Sequence, residues 1–187
     1  MLSRSPGTGP GAVRIRRAVA RDAKRLTRIV RASRAYEGPY APMIAGYRVG
    51  PDYIEAHRVF VAVAGGFAPD AGSPPDSGGC GAAGGPDGSV ERVLGFYALV
   101  LDPIDPPELD LMFVSDAAQG RGIGRRLVAH LRGEARAAGV DEVRVVAHPP
   151  AEGFYLGVGA ERTGTVLARP PAVMWDRPEM ALTIAPE

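Results

Sequence analysis

The sequence predicts one α/β domain, and two observations support that prediction. Short runs in which apolar and polar residues alternate, typical of half-buried strands, are interspersed with segments whose apolar residues recur every three or four positions, as in amphipathic helices. A chain of 187 residues that is 45% hydrophobic can build one good core. We therefore expect a single domain over residues 13–187, preceded by a flexible tail over residues 1–12.

The first half of the chain contains three predicted strands and two predicted helices. The strands show apolar alternation or β-branched runs, and the longer helix has one apolar face with arginines on the other. In chain order the segments are a strand from Val13 to Arg17, a helix from about Arg21 to Ala35, a helix near Pro51 to His57, and strands from Arg58 to Ala64 and from Val93 to Leu101.

A long segment from Gly65 to Glu91 interrupts this half and is dense in Gly, Pro, Ser, Asp and Ala. It contains almost no residue large and apolar enough to bury, so its composition favours a disordered insertion over a mobile arm at a subunit contact. The chain's single cysteine, Cys80, lies within it. One cysteine cannot form an internal disulfide, and no fixed base is nearby to make it a catalytic thiol.

The most distinctive segment is a glycine-rich turn from Gln119 to Arg126, between a predicted strand and a predicted helix. Leu109, Leu111 and Phe113 alternate with polar or smaller residues in the strand, and Gly139 is placed to end the helix. Glycines at 120, 122 and 124 allow backbone N–H groups to approach a ligand, and the start of the helix adds unpaired donors.

Three arginines near the start of this helix support the same interpretation. Arg121, Arg125 and Arg126 would oppose the helix dipole unless an anion lies beside them, although a solvated basic face is the simpler alternative. The turn therefore predicts a phosphate site. Two familiar phosphate loops do not fit, because Arg125 stands where the dinucleotide fingerprint requires glycine and the Gly-Lys-Ser/Thr of a Walker A loop is absent.

The pattern that remains, Gln-x-x-Gly-x-Gly, resembles the acyl-CoA pyrophosphate loop of the GNAT superfamily, the GCN5-related N-acetyltransferases. Gln119, Gly122 and Gly124 fall on the motif positions of that family. The resemblance implies a mixed, mostly antiparallel central sheet of about seven strands flanked by about four helices. It also implies acetyl-CoA as the acyl donor and cosubstrate.

A second segment carries the same resemblance. Val143 to Ala147 is a β-branched strand, and Pro149 and Pro150 then open a short helix. In the family's closing motif an Asn is followed by Ala, then Phe-Tyr, then Gly. The positions that match here are Ala151, Phe154, Tyr155 and Gly159, whereas His148 replaces the usual Asn and Ala160 replaces a larger apolar residue. Glu179 to Ile184 is the last predicted strand.

The resemblance implies a set of residues that contact the coenzyme. The backbones of Met112 and Val114 would face the pantetheine arm, the glycine turn would bind the pyrophosphate, and two residues of the closing motif would complete the site. The full set is Met112, Val114, Gln119, Gly120, Arg121, Gly122, Ile123, Gly124, Arg125, His148 and Phe154.

The expected chemistry assigns two catalytic residues. Attack of an amine on a thioester expels a thiolate whose conjugate acid has a pKa of about 8.5, so a tyrosine such as Tyr155 can donate a proton to it. The amine must also lose a proton, and Glu108, at the start of the strand before the turn, occupies a place from which some family members remove it. Asp110 lies on the same face, and His148 is a weaker rival.

These residues predict an acyl-CoA-dependent N-acyltransferase that moves an acetyl group to the primary amine of a small molecule by direct attack in a ternary complex. Transfer to proteins or peptides is an alternative, and a non-catalytic acyl-CoA-binding regulatory domain is an alternative of another class. Aromatic residues at Tyr36 to Tyr40, Tyr47 and Tyr53, and the segment from Pro170 to Trp175, are candidates for the acceptor pocket.

Composition excludes several other functions. A net charge of +1 gives no reason to expect nucleic acid or membrane partners, and we see no transmembrane segment or signal peptide. We therefore expect a cytoplasmic protein. No metal-ligand cluster is evident, so we expect transfer without a metal. A homodimer is one of the oligomeric states that the sequence leaves open.

Overall fold

The structure is a computed structural model, which describes residues 12–65, 91–102 and 106–184. The predicted flexible tail over residues 1–12 and the predicted insertion over residues 65–91, with Cys80, lie outside the described residues apart from Ala12, Gly65 and Glu91.

Seven strands form one sheet in the order β1-β2-β3-β4-β5-β7-β6. Neighbouring strands are antiparallel except β4 and β5, which are parallel. This confirms the predicted mixed, mostly antiparallel sheet. The strands are β1 Val13–Arg17, β2 Arg58–Ala64, β3 Arg92–Val100, β4 Glu108–Val114, β5 Glu142–Val146, β6 Glu161–Val166 and β7 Arg177–Thr183.

Four α-helices flank this sheet in the described part of the chain. They are α1 Ala23–Arg31, α2 Pro51–Ala56, α3 Ile123–Ala137 and α4 Glu152–Gly157. The helix expected from Arg21 to Ala35 is shorter than predicted, because Ala20–Asp22 is a 3₁₀ turn and Ser33 takes an extended backbone conformation with φ −69° and ψ 115°. Two further 3₁₀ segments, Arg34–Tyr36 and Gly38–Met43, lead the chain towards α2.

Each face of the sheet has its own apolar core. On one face, Leu127 and Leu131 of α3 and Tyr155 of α4 pack with residues of the central strands. On the other face, Leu26 of α1 and Ile54 of α2 pack with residues such as Phe96. The apolar faces that the sequence predicts for α1 and α3 are thus the faces that cover the sheet.

The parallel strands β4 and β5 diverge along their length. Their only registered pair is Glu108 with Arg144, supported by a bond from the Arg144 N–H to the Pro107 carbonyl at 2.8 Å. On its other side β4 has a bulge, because Ala98 pairs with Leu111 and Leu99 with Leu109, which leaves Asp110 as an extra residue. The divergence leaves the β5-facing edge of β4 open beyond Glu108.

Candidate active site

A cleft of about 670 Å³ occupies this opening between β4 and β5. All seven residues of β4 line it, together with the glycine turn, the start of α3, and part of α4. The other wall of the cleft lies on the α1 side of the sheet. It consists of residues from α1 and the segment that follows it, including Tyr36, Met43 and Tyr47. Glu108 and Tyr155, predicted as base and acid, therefore lie in the same cleft.

The glycine turn presents an uncapped helix to the cleft. Gly122 is the residue before α3 and has a left-handed backbone with φ 74°, and Gly120 has φ 72°. Such angles are strained for any residue with a side chain. No side chain caps α3, and its first turn contains no acidic residue. The first N–H groups of α3 therefore remain available as donors to an anion.

The space around the turn is consistent with a ligand. A Cβ atom built on Gly120 or Gly122 would meet no atom within 4 Å. Gly124 differs, because a Cβ atom built there would lie only 3.0 Å from two ring atoms of Phe154. The predicted contact residues Gly124 and Phe154 therefore pack against each other. Both also line the cleft.

The arginines of the turn do not share one position. Arg125 lines the cleft and its Nη1 donates to the Gly157 carbonyl at 3.4 Å. Arg121 and Arg126 instead line a separate cavity of about 330 Å³ beside Val13. The side chain of Gln119 lines the cleft and donates to Asp116 at 3.0 Å. Arg121 is thus the one predicted coenzyme residue that is missing from the cleft lining.

Tyr155 is buried, with 7% of its surface exposed, and belongs to the core beneath α4. Burial raises the pKa of its hydroxyl above 10, and the neighbouring Tyr36 adds to that rise. The phenol therefore stays protonated at neutral pH and can act as a proton donor.

Glu108 belongs to a network of charges at the narrow end of the cleft. Arg144 donates from Nη1 to Glu108 Oε2 and from Nε to Glu179 Oε1, both at 2.6 Å. The second carboxylate in the cleft, Asp110, accepts a short hydrogen bond from the Tyr53 hydroxyl. Burial raises the pKa of Tyr53, and Asp110 raises it further. Both carboxylates are therefore oriented by a neighbouring donor.

His148 supports the aromatic wall of the cleft. Its ring stacks on Tyr36 at a centroid distance of 4.0 Å and meets the edge of Tyr40 at 4.5 Å. Its Nε2 lies 2.7 Å from the Ala35 carbonyl, which can only accept, so Nε2 carries the proton. Burial lowers the pKa of His148 below 6.5, although the bond to Ala35 opposes that change. At neutral pH the ring is therefore uncharged.

The predicted acceptor-pocket aromatics are divided between the cleft surface and the layer behind it. Tyr36 and Tyr47 line the cleft. Tyr40 lies behind, between His148 and Trp175, with a centroid distance of 4.6 Å to the indole. Tyr53 reaches the site through Asp110.

Two arginines near the cleft were not among the predicted site residues. Arg144 interrupts the β-branched run of β5, so strand alternation could have indicated that it faces away from its apolar neighbours. Arg177, the first residue of β7, lines the cleft and has no comparable signal in the sequence.

The described residues offer neither a cluster of metal-ligating side chains nor a membrane-spanning helix. They contain no group of three or more His, Cys, Asp or Glu residues placed to hold a metal ion. None of their helices has the length and apolar character needed to span a bilayer.

Comparisons with known proteins add sequence and fold evidence. Residues 90–169 match the family model of the acetyltransferase (GNAT) domain. No curated protein matches the chain in sequence.

Solved structures share the fold at low identity. A GCN5-related N-acetyltransferase from Rhodopseudomonas palustris superimposes with a TM-score of 0.64 at 16% identity, covering 96% of this chain and 99% of that one. The yncA protein of Salmonella typhimurium, solved with its cofactor acetyl-CoA, gives a TM-score of 0.61 at 18% identity over 94% and 96% of the two chains. The ribosomal-protein-S18-alanine N-acetyltransferase of Escherichia coli gives 0.58 at 17% identity over 94% and 96%.

The resemblance predicted from the glycine turn and the closing motif is thus confirmed: this protein has the fold of the GNAT acetyltransferases, and its residues 90–169 match the family model of their domain.

Proposed function

We propose that this protein is an acetyl-CoA-dependent N-acetyltransferase that acetylates a primary amine of a small molecule by direct transfer. The observation that carries the proposal is that one cleft joins the uncapped start of α3 to the Tyr155 phenol and the Glu108 carboxylate. A pyrophosphate site, a proton donor and a proton acceptor are the three functions that such a transfer requires.

The coenzyme would lie along the open edge of β4. Its pyrophosphate would accept hydrogen bonds from the N–H groups of the glycine turn, and the Arg125 side chain would add a charge-assisted contact. Its pantetheine arm would pair with backbone groups near Met112 and Val114, since β5 has diverged from that edge. The pantetheine arm would thereby take the place of a neighbouring strand, and the thioester would approach Tyr155.

The transfer would proceed by direct attack. The amine nitrogen forms a bond to the thioester carbonyl carbon, and the carbon–sulfur bond breaks. Tyr155 donates its phenolic proton to the departing thiolate and recovers a proton from solvent. The amine attacks as the free base, so its ammonium form first gives a proton to Glu108, directly or through one water, and the second N–H proton is released to solvent as the amide forms. Arg144 holds the Glu108 side chain through Oε2, and Oε1 accepts no hydrogen bond from the described residues.

Two alternatives predict different results. One of the fold neighbours is a ribosomal-protein-S18-alanine N-acetyltransferase, so a protein N-terminus is the second acceptor class that we test. A non-catalytic acyl-CoA-binding domain would retain the glycine turn but would have no need for the Tyr155 proton.

The test is calorimetric titration of the protein with acetyl-CoA and desulfo-CoA, followed by a thiol-release screen over amino acids, diamines, aminoglycosides and peptide N-termini. Binding together with thiol release on a small amine supports the proposal. Thiol release only with peptides would show that the acceptor is a protein or peptide N-terminus instead of a small amine. Binding without release on any amine would favour the non-catalytic domain, and an absence of binding would refute the coenzyme site.

A further inference from the structure

Arg177 is a cation without a partner in the described part of the chain. It is half-buried, it lines the cleft, and no salt bridge or hydrogen bond involves its guanidinium there. Its Nε is buried without an acceptor. A buried donor without an acceptor is unfavourable unless a ligand supplies the partner.

The neighbouring acids are already engaged. Glu179 lies two residues along β7, on the same face of the strand as Arg177, and would be its natural partner. Its Oε1 instead accepts from Arg144, which also binds Glu108. Arg144 thus binds both carboxylates, and Arg177 lines the cleft without either of them.

The position of Arg177 relates it to the proposed reacting groups. Burial raises the pKa of the Tyr36 hydroxyl, and the charge of Arg177 opposes that rise, so the two side chains lie within electrostatic reach. Tyr36 in turn acts on Tyr155, whose pKa burial also raises. Arg177, Tyr36 and Tyr155 therefore interact electrostatically in the cleft that the glycine turn also lines.

The cleft thus contains side chains of opposite charge. Glu108 and Asp110 would attract the ammonium form of an amine, and the guanidinium of Arg177 offers a planar pair of donors that matches a carboxylate. An amine without an anionic group would leave Arg177 unpaired when it displaced water from the cleft.

We propose that Arg177 binds a carboxylate of the acceptor, so that the substrates of this enzyme are amines that also carry a carboxylate, such as free amino acids. The inference rests on the proposed acetyltransferase function and adds the substrate class to it. The same group could come from a free amino acid or from an acidic residue near a peptide N-terminus, and the experiment distinguishes the two.

The first experiment uses the unmodified protein and matched acceptors. Thiol release from acetyl-CoA is measured with each amino acid, its α-amide and its decarboxylated amine, and with dipeptides that carry Asp or Asn in the second position. We expect kcat/KM to be about 10- to 100-fold higher with the carboxylate, the range for a charge-assisted hydrogen bond. A preference for free amino acids over Asp dipeptides identifies the α-carboxylate, and the reverse preference identifies the side chain.

The second experiment uses variants. Arg177→Gln should raise KM for the carboxylated acceptor about 10- to 100-fold while acetyl-CoA binding stays unchanged, and Arg177→Lys should restore part of the loss. Arg162→Gln, on the neighbouring strand β6 and paired with Glu152 outside the cleft, is the matched control.

The outcomes separate this inference from the function on which it rests. Turnover of amides and amines as fast as of amino acids would overturn the role of Arg177 but leave the acetyltransferase proposal intact. Loss of acetyl-CoA affinity in Arg177→Gln would also overturn it, because the arginine would then serve the coenzyme. Binding without thiol release on any amine would refute the proposed function itself.

Discussion

The ring of Phe154 lies against the backbone of Gly124, so that a Cβ atom on that glycine would come within 3.0 Å of the ring atoms Cε2 and Cζ. The Phe154 ring of the short helix α4 therefore packs directly on the backbone of the first turn of α3. This contact joins the two sequence segments that resemble the GNAT family and forms part of the cleft wall.

We predict that Gly124→Ala destabilises the protein and weakens acetyl-CoA binding. The new methyl group would press on the Phe154 ring, which would have to shift by a few tenths of an ångström, and overpacking of this kind costs about 1–3 kcal/mol. The matched control is Gly133→Ala, an exposed glycine of the same helix where a Cβ atom would meet nothing within 4 Å. The control should stabilise the helix by about 0.5–1 kcal/mol.

Thermal unfolding and calorimetric titration measure the two effects. The double variant Gly124→Ala/Phe154→Leu should be more stable than Gly124→Ala alone, because the smaller side chain leaves room for the new methyl group. Equal stabilisation by both alanines would show that Phe154 does not constrain Gly124.

The acid role of Tyr155 predicts a loss of rate without a loss of coenzyme binding. Tyr155→Phe should lower kcat for thiol release about 100-fold or more, the usual range for a general acid, while the dissociation constant of acetyl-CoA stays within about twofold. The control is Tyr97→Phe, which removes a buried hydroxyl that contacts His130 outside the cleft. Undiminished turnover in Tyr155→Phe would remove the acid role from this residue.

Glu108 and Glu179 make equivalent bonds to Arg144 but differ in their access to the cleft. Glu108→Gln and Glu179→Gln should therefore destabilise the protein to a similar extent, because each removes one charged partner at 2.6 Å. Only Glu108→Gln should lower kcat/KM strongly, by about 100-fold, if that carboxylate accepts the proton of the amine. Equal losses of activity in the two variants would assign Glu108 a structural role.

Asp22 gives a prediction for the pH dependence of stability. It is fully buried and accepts both arms of Arg16, at 2.7 and 3.0 Å, and the Val19 N–H at 3.0 Å. Burial raises the pKa of Asp22, but the hydrogen bonds from Arg16 and Val19 and the charge of Arg16 lower it more, to a net value below 3.8.

A carboxyl whose pKa is lowered by folding stabilises the protein above its unfolded pKa, and this contribution disappears as the pH falls through the folded pKa. Asp22→Asn should therefore cost about 1–3 kcal/mol at pH 7 and progressively less below about pH 4. Urea unfolding at several pH values measures the difference, with the exposed Asp141→Asn as control. A difference that does not shrink on acidification would contradict the assignment.

Much of the fold was predictable because its determinants are local. Local signals, which include strand alternation, helical periodicity and the prolines that open α4, located six of the seven strands and all four helices of the described chain. The strand that was missed, β6 Glu161–Val166, lies at the sheet edge, is mostly exposed and contains Gly164 at a register shift. An exposed edge strand has no apolar face, so alternation could not indicate it.

The sequence alone determined the glycine turn between strand and helix, the closing Phe-Tyr pair and the fold class, because backbone freedom and apolar periodicity are properties of neighbouring residues. Only the tertiary structure decided which charges are paired. Strands β4 and β5 meet at Glu108 and Arg144, and β7 brings Glu179 to the same arginine, whereas Arg177 has no partner among the described residues. Pairing depends on which distant strands meet and where they part, and that information lies in the packing of the whole sheet.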